Sequence, residues 1–266
     1  MQGPLFTIGD DEVHLWHVDP TAIGEPGRLA LYDAWMTADE RARQQRFVFE
    51  RHRHAFLIAR ALVRGTLSRY VDRDPGAWRF IAGPHGRPAL DPGTPAPLRF
   101  NLSHTDGCAV LAIAPATVEV GVDVERRRPS RDLLGIARHS FAPPEIEALL
   151  ALDGDARLRR FFDYWTLKEA YIKARGVGIS LGLDNFAFTV ADDPTTPPTI
   201  DFVPGFDDDP AAWTFRRLLL GDALPIALAL QRPAGSELVI RAMDALPEAP
   251  AGLAAPLAGD VLPDRS

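Results

Sequence analysis

The feature that most limits how this chain can fold is the order in which its hydrophobic period changes, because that order occurs twice. Val13–Val18 reads as a strand, and helical spacing follows. Thr37-Ala-Asp-Glu40 forms a capping box that opens a helical region to about Phe49. Ala55–Tyr70 is a second helix, with Phe56, Ala59, Leu62, Val63, Leu67 and Tyr70 at three- and four-residue spacings. Leu98–Leu102 and Cys108–Ile113 read as strands, joined by a turn at Ser103–Gly107. The second round begins with a strand at Val118–Glu125 and continues with helices at Glu145–Leu152 and Arg157–Arg175, the latter ended by Gly176-Val-Gly178. Strands at Phe186–Val190, Trp213–Leu220 and Pro225–Leu230 complete it. Gly83–Pro97 reads as a Pro/Gly loop and Ala191–Asp201 as a linker. The pattern predicts an α+β (α/β-like) fold of two half-domains, 1–115 and 116–235, each a small sheet packed by helices. An Ala/Pro-rich tail, 236–266, follows, expected to be loose from about Ala245.

Composition excludes several classes. No apolar run approaches the roughly 18–20 residues of a membrane span. The N-terminus lacks a basic and a long apolar region, so no signal peptide is expected. Cys108 is the single cysteine, which rules out an intrachain disulfide and a cysteine-rich zinc site and fits a reducing, cytoplasmic setting. The net charge is −7, yet residues 41–73 carry nine Arg against Glu50 and Asp72. A basic segment in an acidic chain suggests a local anion site rather than a nucleic-acid surface; a solvated helix face is the plainer alternative. Of 29 basic residues only Lys168 and Lys173 are lysines, and they lie in one segment. Lysine is a compact point charge and arginine a planar fork, so the placement points to chemistry that needs an ammonium.

Three segments combine polar groups usefully. Along a strand, Gly121-Val-Asp-Val-Glu125 puts Asp123 and Glu125 on one face, roughly 7 Å apart. Two such carboxylates can share a hard cation, or can simply line an exposed edge beside Arg126-Arg-Arg128. On a helix, Trp165, Lys168, Glu169, Ile172 and Lys173 share a stripe. Glu169 and Lys173 could be an ordinary i,i+4 pair. With the Asp-x-Glu strand, Glu169 could instead complete a three-carboxylate site for Mg²⁺, the lysines neutralising a diphosphate. Ser103 and His104 could donate to phosphate oxygens. Gly178-Ile-Ser-Leu-Gly182 has the letters of a nucleophile elbow but follows a helix instead of a strand, which argues against a serine hydrolase.

Taken together, Gly86-Arg-Pro88, Phe100-Asn-Leu-Ser-His104, Gly121-Val-Asp-Val-Glu125, Phe141-x-x-x-Glu145 and Trp165-Thr-Leu-Lys-Glu-Ala-Tyr-Ile-Lys173 resemble the Sfp-type 4′-phosphopantetheinyl transferases in order and spacing, as does Arg46–Arg51 through Arg64. The resemblance spans about residues 10–230. It implies transfer of the phosphopantetheine arm of coenzyme A to a serine of an acyl or peptidyl carrier protein, with release of adenosine 3′,5′-bisphosphate. It implies Mg²⁺, with Mn²⁺ as the alternative ion, held by Asp123, Glu125 and Glu169. Arg51, Arg87 and Pro88 match nucleotide contacts; Ser103, His104, Lys168 and Lys173 match phosphate contacts. Glu169, Lys173 and Glu145 match catalytic positions, Glu145 as a candidate base. The expected state is a monomer, a pseudo-dimer of halves. Gly-x-Pro often carries Lys where this chain has Arg87, and Leu181-Gly-Leu183 replaces a frequent Leu-Pro-Leu. A catalytically inactive relative that binds coenzyme A or a carrier, and a Mg²⁺-dependent diphosphate hydrolase, are the competing readings.

Overall fold

The computed structural model describes residues 5–83, 85–129, 132–178, 181–232 and 238–244. In the first half, strand β1 (Glu12–Val18) is followed by helices α1 (Pro26–Trp35), α2 (Ala38–Gln45) and α3 (Glu50–Leu67). A short hairpin, β2 (Phe80–Ala82) with β3 (Pro88–Leu90), leads into β4 (Leu98–Thr105) and β5 (Cys108–Pro115). The second half comprises β6 (Glu119–Val124), α4 (Leu133–Ser140), α5 (Pro143–Leu150), α6 (Gly154–Arg175), β7 (Phe186–Thr189), β8 (Thr199–Phe202), β9 (Trp213–Leu220) and β10 (Leu224–Gln231). The last strand, β11 (Val239–Asp244), returns to the first half and pairs parallel with β1, giving the sheet order β11-β1-β5-β4. The second sheet runs β6-β10-β9.

The α+β expectation of two small sheets with helices is met. The differences are local. Composition alone assigned β11 to the tail; its pairing with β1 and the Arg241–Glu12 ion pair (2.6 Å) place it in the first sheet. The predicted loop Gly83–Pro97 contains β3, and the linker Ala191–Asp201 overlaps β8, because short edge strands of Pro, Ala and Thr carry no alternating signal. β4 runs on through Ser103 and His104, so the turn is confined to Asp106-Gly107, with Gly107 at φ 77°. The capping box holds: Glu40 N donates to Thr37 Oγ1 (3.2 Å) and Thr37 N to Glu40 Oε2 (2.9 Å). Gly176 ends α6 in the left-handed conformation at φ 66°, as read from sequence. Ile179 and Ser180 of the Gly-x-Ser-x-Gly segment lie outside the described residues.

Three cores hold the molecule. Trp16, Tyr32, Ile58, Leu62 and Trp78 pack the first half; Leu167, Tyr171, Phe186, Phe215 and Ala229 pack the second. The third lies between the sheets: Leu15, Val110 and Ala112 from the first meet Val120, Val122, Val124 and Leu228 from the second. The Arg-rich segment is largely consumed by structure. Arg64, 1% exposed, donates to the Pro75 and Trp78 carbonyls (both 3.0 Å) and pairs with Glu40 (2.8 Å). Arg41 holds the Asp33 and Met36 carbonyls at the end of α1, while Arg69 and Arg73 lie over Trp16 and Trp78.

One approach positions the site. α6 lies directly on β6 where Gly121 has no side chain: a Cβ there would stand 2.0 Å from the Ala170 carbonyl and 2.5 Å from the Ala174 nitrogen. Both obstacles are helix backbone and cannot rotate away. Gly121→Ala is expected to cost at least ~1–3 kcal/mol, as overpacked cores do, and to disable the cleft. Thermal unfolding and activity check this, and an unchanged midpoint would show that the helix seat tolerates a methyl group.

Candidate active site

The junction of the halves is built around the outer edge of β6. One edge pairs with β10; on the other, the Val122 and Val124 N–H groups are received by side chains of β4. Val122 N donates to Asn101 Oδ1 (3.0 Å) and Val124 N to Ser103 Oγ (3.3 Å). Thr105, two residues further along the same face of β4, donates to Glu125 Oε2 (3.3 Å). The polar alternation 101, 103, 105 therefore serves as a side-chain ladder between halves. Asn101 and Thr105 were not singled out from the sequence, although their period of two with Ser103 was the available signal.

Asp123 sits at the centre, 4% exposed. Its Oδ1 accepts from Ser103 Oγ (2.8 Å) and Lys173 Nζ (2.6 Å), and Lys173 Nζ also donates to Ser103 Oγ (2.8 Å). Its Oδ2 is buried without a hydrogen-bond partner. Burial outweighs the Lys173 ammonium and the hydrogen bonds, so the Asp123 carboxyl stays above the ordinary range. Glu125 and Glu169 are likewise raised, first by burial and then by the negative charge of Asp123. The three acids thus converge from β6 and α6 closely enough to repel one another. Glu169, Lys173, Ile172, Asn101 and Arg87 line a cavity of about 240 Å³. His104 is exposed on β4, and desolvation with the charges of Lys173 and Arg60 keeps its imidazole below the ordinary pKa.

Among the described residues no three His, Cys, Asp or Glu side chains stand close enough together to hold a metal ion as placed. The ammonium of Lys173 takes one oxygen of Asp123. The donor set still suits a hard divalent cation, since it is oxygen only and includes one unpartnered buried carboxylate oxygen.

Two expected site residues lie elsewhere. Lys168 is fully buried; its Nζ donates to the Leu183 (2.7 Å) and Phe186 (2.6 Å) carbonyls and pairs with Glu145 (2.8 Å). Glu145, also fully buried, accepts from Ala142 N and Phe188 N (both 2.9 Å) at the start of α5. Burial pushes the Glu145 carboxyl up and the Lys168 ammonium down. This pair ties α5, α6 and β7 together, and neither side chain lines the cavity beside Glu169 and Lys173. Arg51 is exposed on the first turn of α3, its guanidinium 4.7 Å from the Phe49 ring centre. Arg87 lines the cleft but is engaged with the second half, donating to Glu119, Ala174 and Val120. Pro88 follows on β3 at the rim.

Comparison with known proteins agrees with this architecture. Residues 119–229 match the model of the 4′-phosphopantetheinyl transferase superfamily, and residues 26–116 that of the 4′-phosphopantetheinyl transferase N-terminal region. The chain is 35% identical over 229 residues to 4′-phosphopantetheinyl transferase HetI of a Nostoc species, covering 85% of this chain and 91% of that protein. It is 31% identical over 160 residues to 4′-phosphopantetheinyl transferase Sfp of Bacillus subtilis, covering 60% and 69% of the two chains. The Xenopus laevis L-aminoadipate-semialdehyde dehydrogenase-phosphopantetheinyl transferase is 29% identical over 211 residues, 72% of this chain and 67% of the relative. The chain therefore belongs to the 4′-phosphopantetheinyl transferase family, and it is a transferase of that class.

Lys168→Met leaves Glu145 buried without its partner. It is expected to destabilise the fold by about 3–5 kcal/mol, the usual cost of breaking a buried pair, which chemical denaturation measures. A rise in KM for coenzyme A at unchanged stability would instead return Lys168 to the phosphate.

Proposed function

We propose that the cleft moves the 4′-phosphopantetheine arm of coenzyme A onto a serine of an acyl or peptidyl carrier protein. The observation that carries this reading is the position of Lys173: its ammonium meets Ser103 and Asp123 at the junction of the halves, beside the free oxygen of Asp123. A diphosphate needs positive charge at its bridging and non-bridging oxygens as the leaving group departs. Lys173 supplies one such charge, Ser103 can donate to a phosphate oxygen, and His104 has an N–H to offer.

In the reaction the serine oxygen forms a bond to the β-phosphorus of the cofactor, the one that carries the pantetheine arm. The phosphoanhydride bond breaks, and adenosine 3′,5′-bisphosphate leaves with the bridging oxygen. The serine proton passes to a cleft carboxylate. Glu169, one turn from Lys173 on α6, takes the part that the resemblance gave to Glu145. Asp123, Glu125 and Glu169 would hold Mg²⁺ or Mn²⁺, which when bound supplies Lewis acidity to the diphosphate. Lys173 then gives up Asp123 for the substrate. No helix among the described residues is long and apolar enough to cross a membrane, and the carrier and coenzyme A are the partners this reading requires. A cytoplasmic, monomeric enzyme fits it.

The direct test incubates the protein with coenzyme A, Mg²⁺ and a panel of apo-carrier proteins and scores a mass gain on serine. Free phosphopantetheine appearing without a carrier would favour the hydrolase, and binding without turnover the inactive relative. Asp123→Ala and Glu169→Ala are expected to abolish transfer in folded protein; a near wild-type rate in either removes its assigned role. Lys173→Arg keeps the charge but not the compact ammonium, and is expected to fail as well.

The raised acids also set a pH dependence. Protons compete with a cation for carboxyls held above the ordinary range, so Mg²⁺ binding by calorimetry is expected to tighten as pH rises from mildly acidic to neutral. Binding that is flat across that interval contradicts the three-acid assignment.

A further inference from the structure

The geometry points to Arg87 as a positioning residue that clamps the two segments bearing the reactive groups, with Glu119 as its partner. Arg87 stands at the end of the β2–β3 turn, in the first half of the chain. Its Nη1 donates to the Ala174 carbonyl (2.7 Å) and to Glu119 Oε2 (3.1 Å), and its Nη2 to the Val120 carbonyl (3.0 Å). Ala174 directly follows Lys173 near the end of α6, and Val120 lies three residues before Asp123 on β6. One guanidinium therefore holds the backbone next to Lys173 on α6 and the strand that carries Asp123, three residues before it.

The surroundings are shaped for this grip. Gly83 N donates to the Arg87 carbonyl (2.8 Å) and Gly86 N to the Gly83 carbonyl (2.9 Å), which tightens the turn that delivers Arg87. Gly176, at φ 66°, would place a Cβ 3.4 Å from Arg87 Cδ, so the end of α6 is bare where the arginine stem crosses it. A cation at a helix C-terminus is favourable by itself, because the last carbonyls carry unpaired negative charge. Glu119 is held from its other oxygen by Arg99 at 3.0 Å, so the clamp has a fixed anchor in β4. Arg87 also lines a second cavity of about 920 Å³ that includes Arg99, Glu119 and Trp213 in its wall.

A phosphate contact needs charge at this position; a clamp needs the fork. Three acceptors in two directions suit a planar guanidinium and cannot all be met by an ammonium. The deciding experiment pairs Arg87→Lys with Glu119→Gln and measures unfolding without coenzyme A, kcat and KM separately. Glu119 is paired with arginines on both oxygens, so its replacement tests the clamp without removing any charge assigned to the phosphates.

The clamp predicts that Arg87→Lys lowers the midpoint of the ligand-free protein by a few degrees, ~2–4 °C. It predicts that both variants reduce kcat, by up to roughly 100-fold for a misplaced reacting group. It predicts that the double variant is little worse than Arg87→Lys alone, because the two residues act as one unit. Three outcomes would each overturn the proposal: an unchanged ligand-free midpoint in Arg87→Lys, an effect confined to KM, or additive losses in the double variant. The proposal rests on the transferase reading for kcat and KM only; the ligand-free midpoints are independent of it. If no carrier is modified by the parent enzyme, the ligand-free midpoints and their coupling still decide the clamp.

Discussion

The contact on which the rest depends is the approach of α6 to β6 at Gly121. A helix and a strand can lie this close only where one residue has no side chain, and the strand places its glycine two residues before Asp123. The helix then presents Glu169 and Lys173 a turn apart beside the acids of β6. Hydrogen bonds of 2.6–2.8 Å join Lys173, Ser103 and Asp123 from three different elements. The arrangement is thus a consequence of α6 packing on β6 within the second half and of β4 meeting β6 between the halves, and its polar groups are themselves part of that packing.

Burial gives these groups their chemistry. A carboxyl as enclosed as Asp123 is costly to ionise, and its charge makes the neighbouring Glu125 and Glu169 costlier to ionise as well. One ammonium offsets only part of that charge. In the proposed function, the remaining negative potential and an unpartnered carboxylate oxygen are what would hold a divalent cation and, through it, an anionic cofactor. The Arg-rich first half adds less to this than its charge suggested. Arg41, Arg64, Arg69 and Arg73 are occupied with carbonyls, an acid and aromatic faces, so they act as internal braces.

Much of the architecture could be read from sequence because its strongest signals are local. The capping box at Thr37, the glycine at the end of α6 and the strand Trp213–Leu220 follow from short-range rules and appear as read. The helices Pro26–Trp35 and Leu133–Ser140 went unread despite local signals such as the Glu25 cap and Pro26, while other misses depend on partners distant in the chain. β11 is a strand because β1 offers an open edge, and β4 continues through Ser103 because β5 pairs with it to Thr105. In the site, Asp123, Ser103 and Lys173 were recognisable by residue type and face. Lys168 was grouped with Lys173 because a helix stripe shows neighbours, and Glu145 entered through the resemblance alone; that the two pair with each other in the second core was not legible. Arg87 was legible as a cation; its three acceptors in the other half were not.

Because the chain contains only two lysines, the central claim can be followed one ammonium at a time. Side-chain nitrogen NMR of ¹⁵N-lysine-labelled protein reports Lys168 and Lys173 separately. The account predicts that addition of Mg²⁺ and coenzyme A shifts the Lys173 resonance, as its ammonium leaves Asp123 for the diphosphate, while the enclosed Lys168 resonance stays in place. A Lys168 signal that moves while that of Lys173 does not would contradict it.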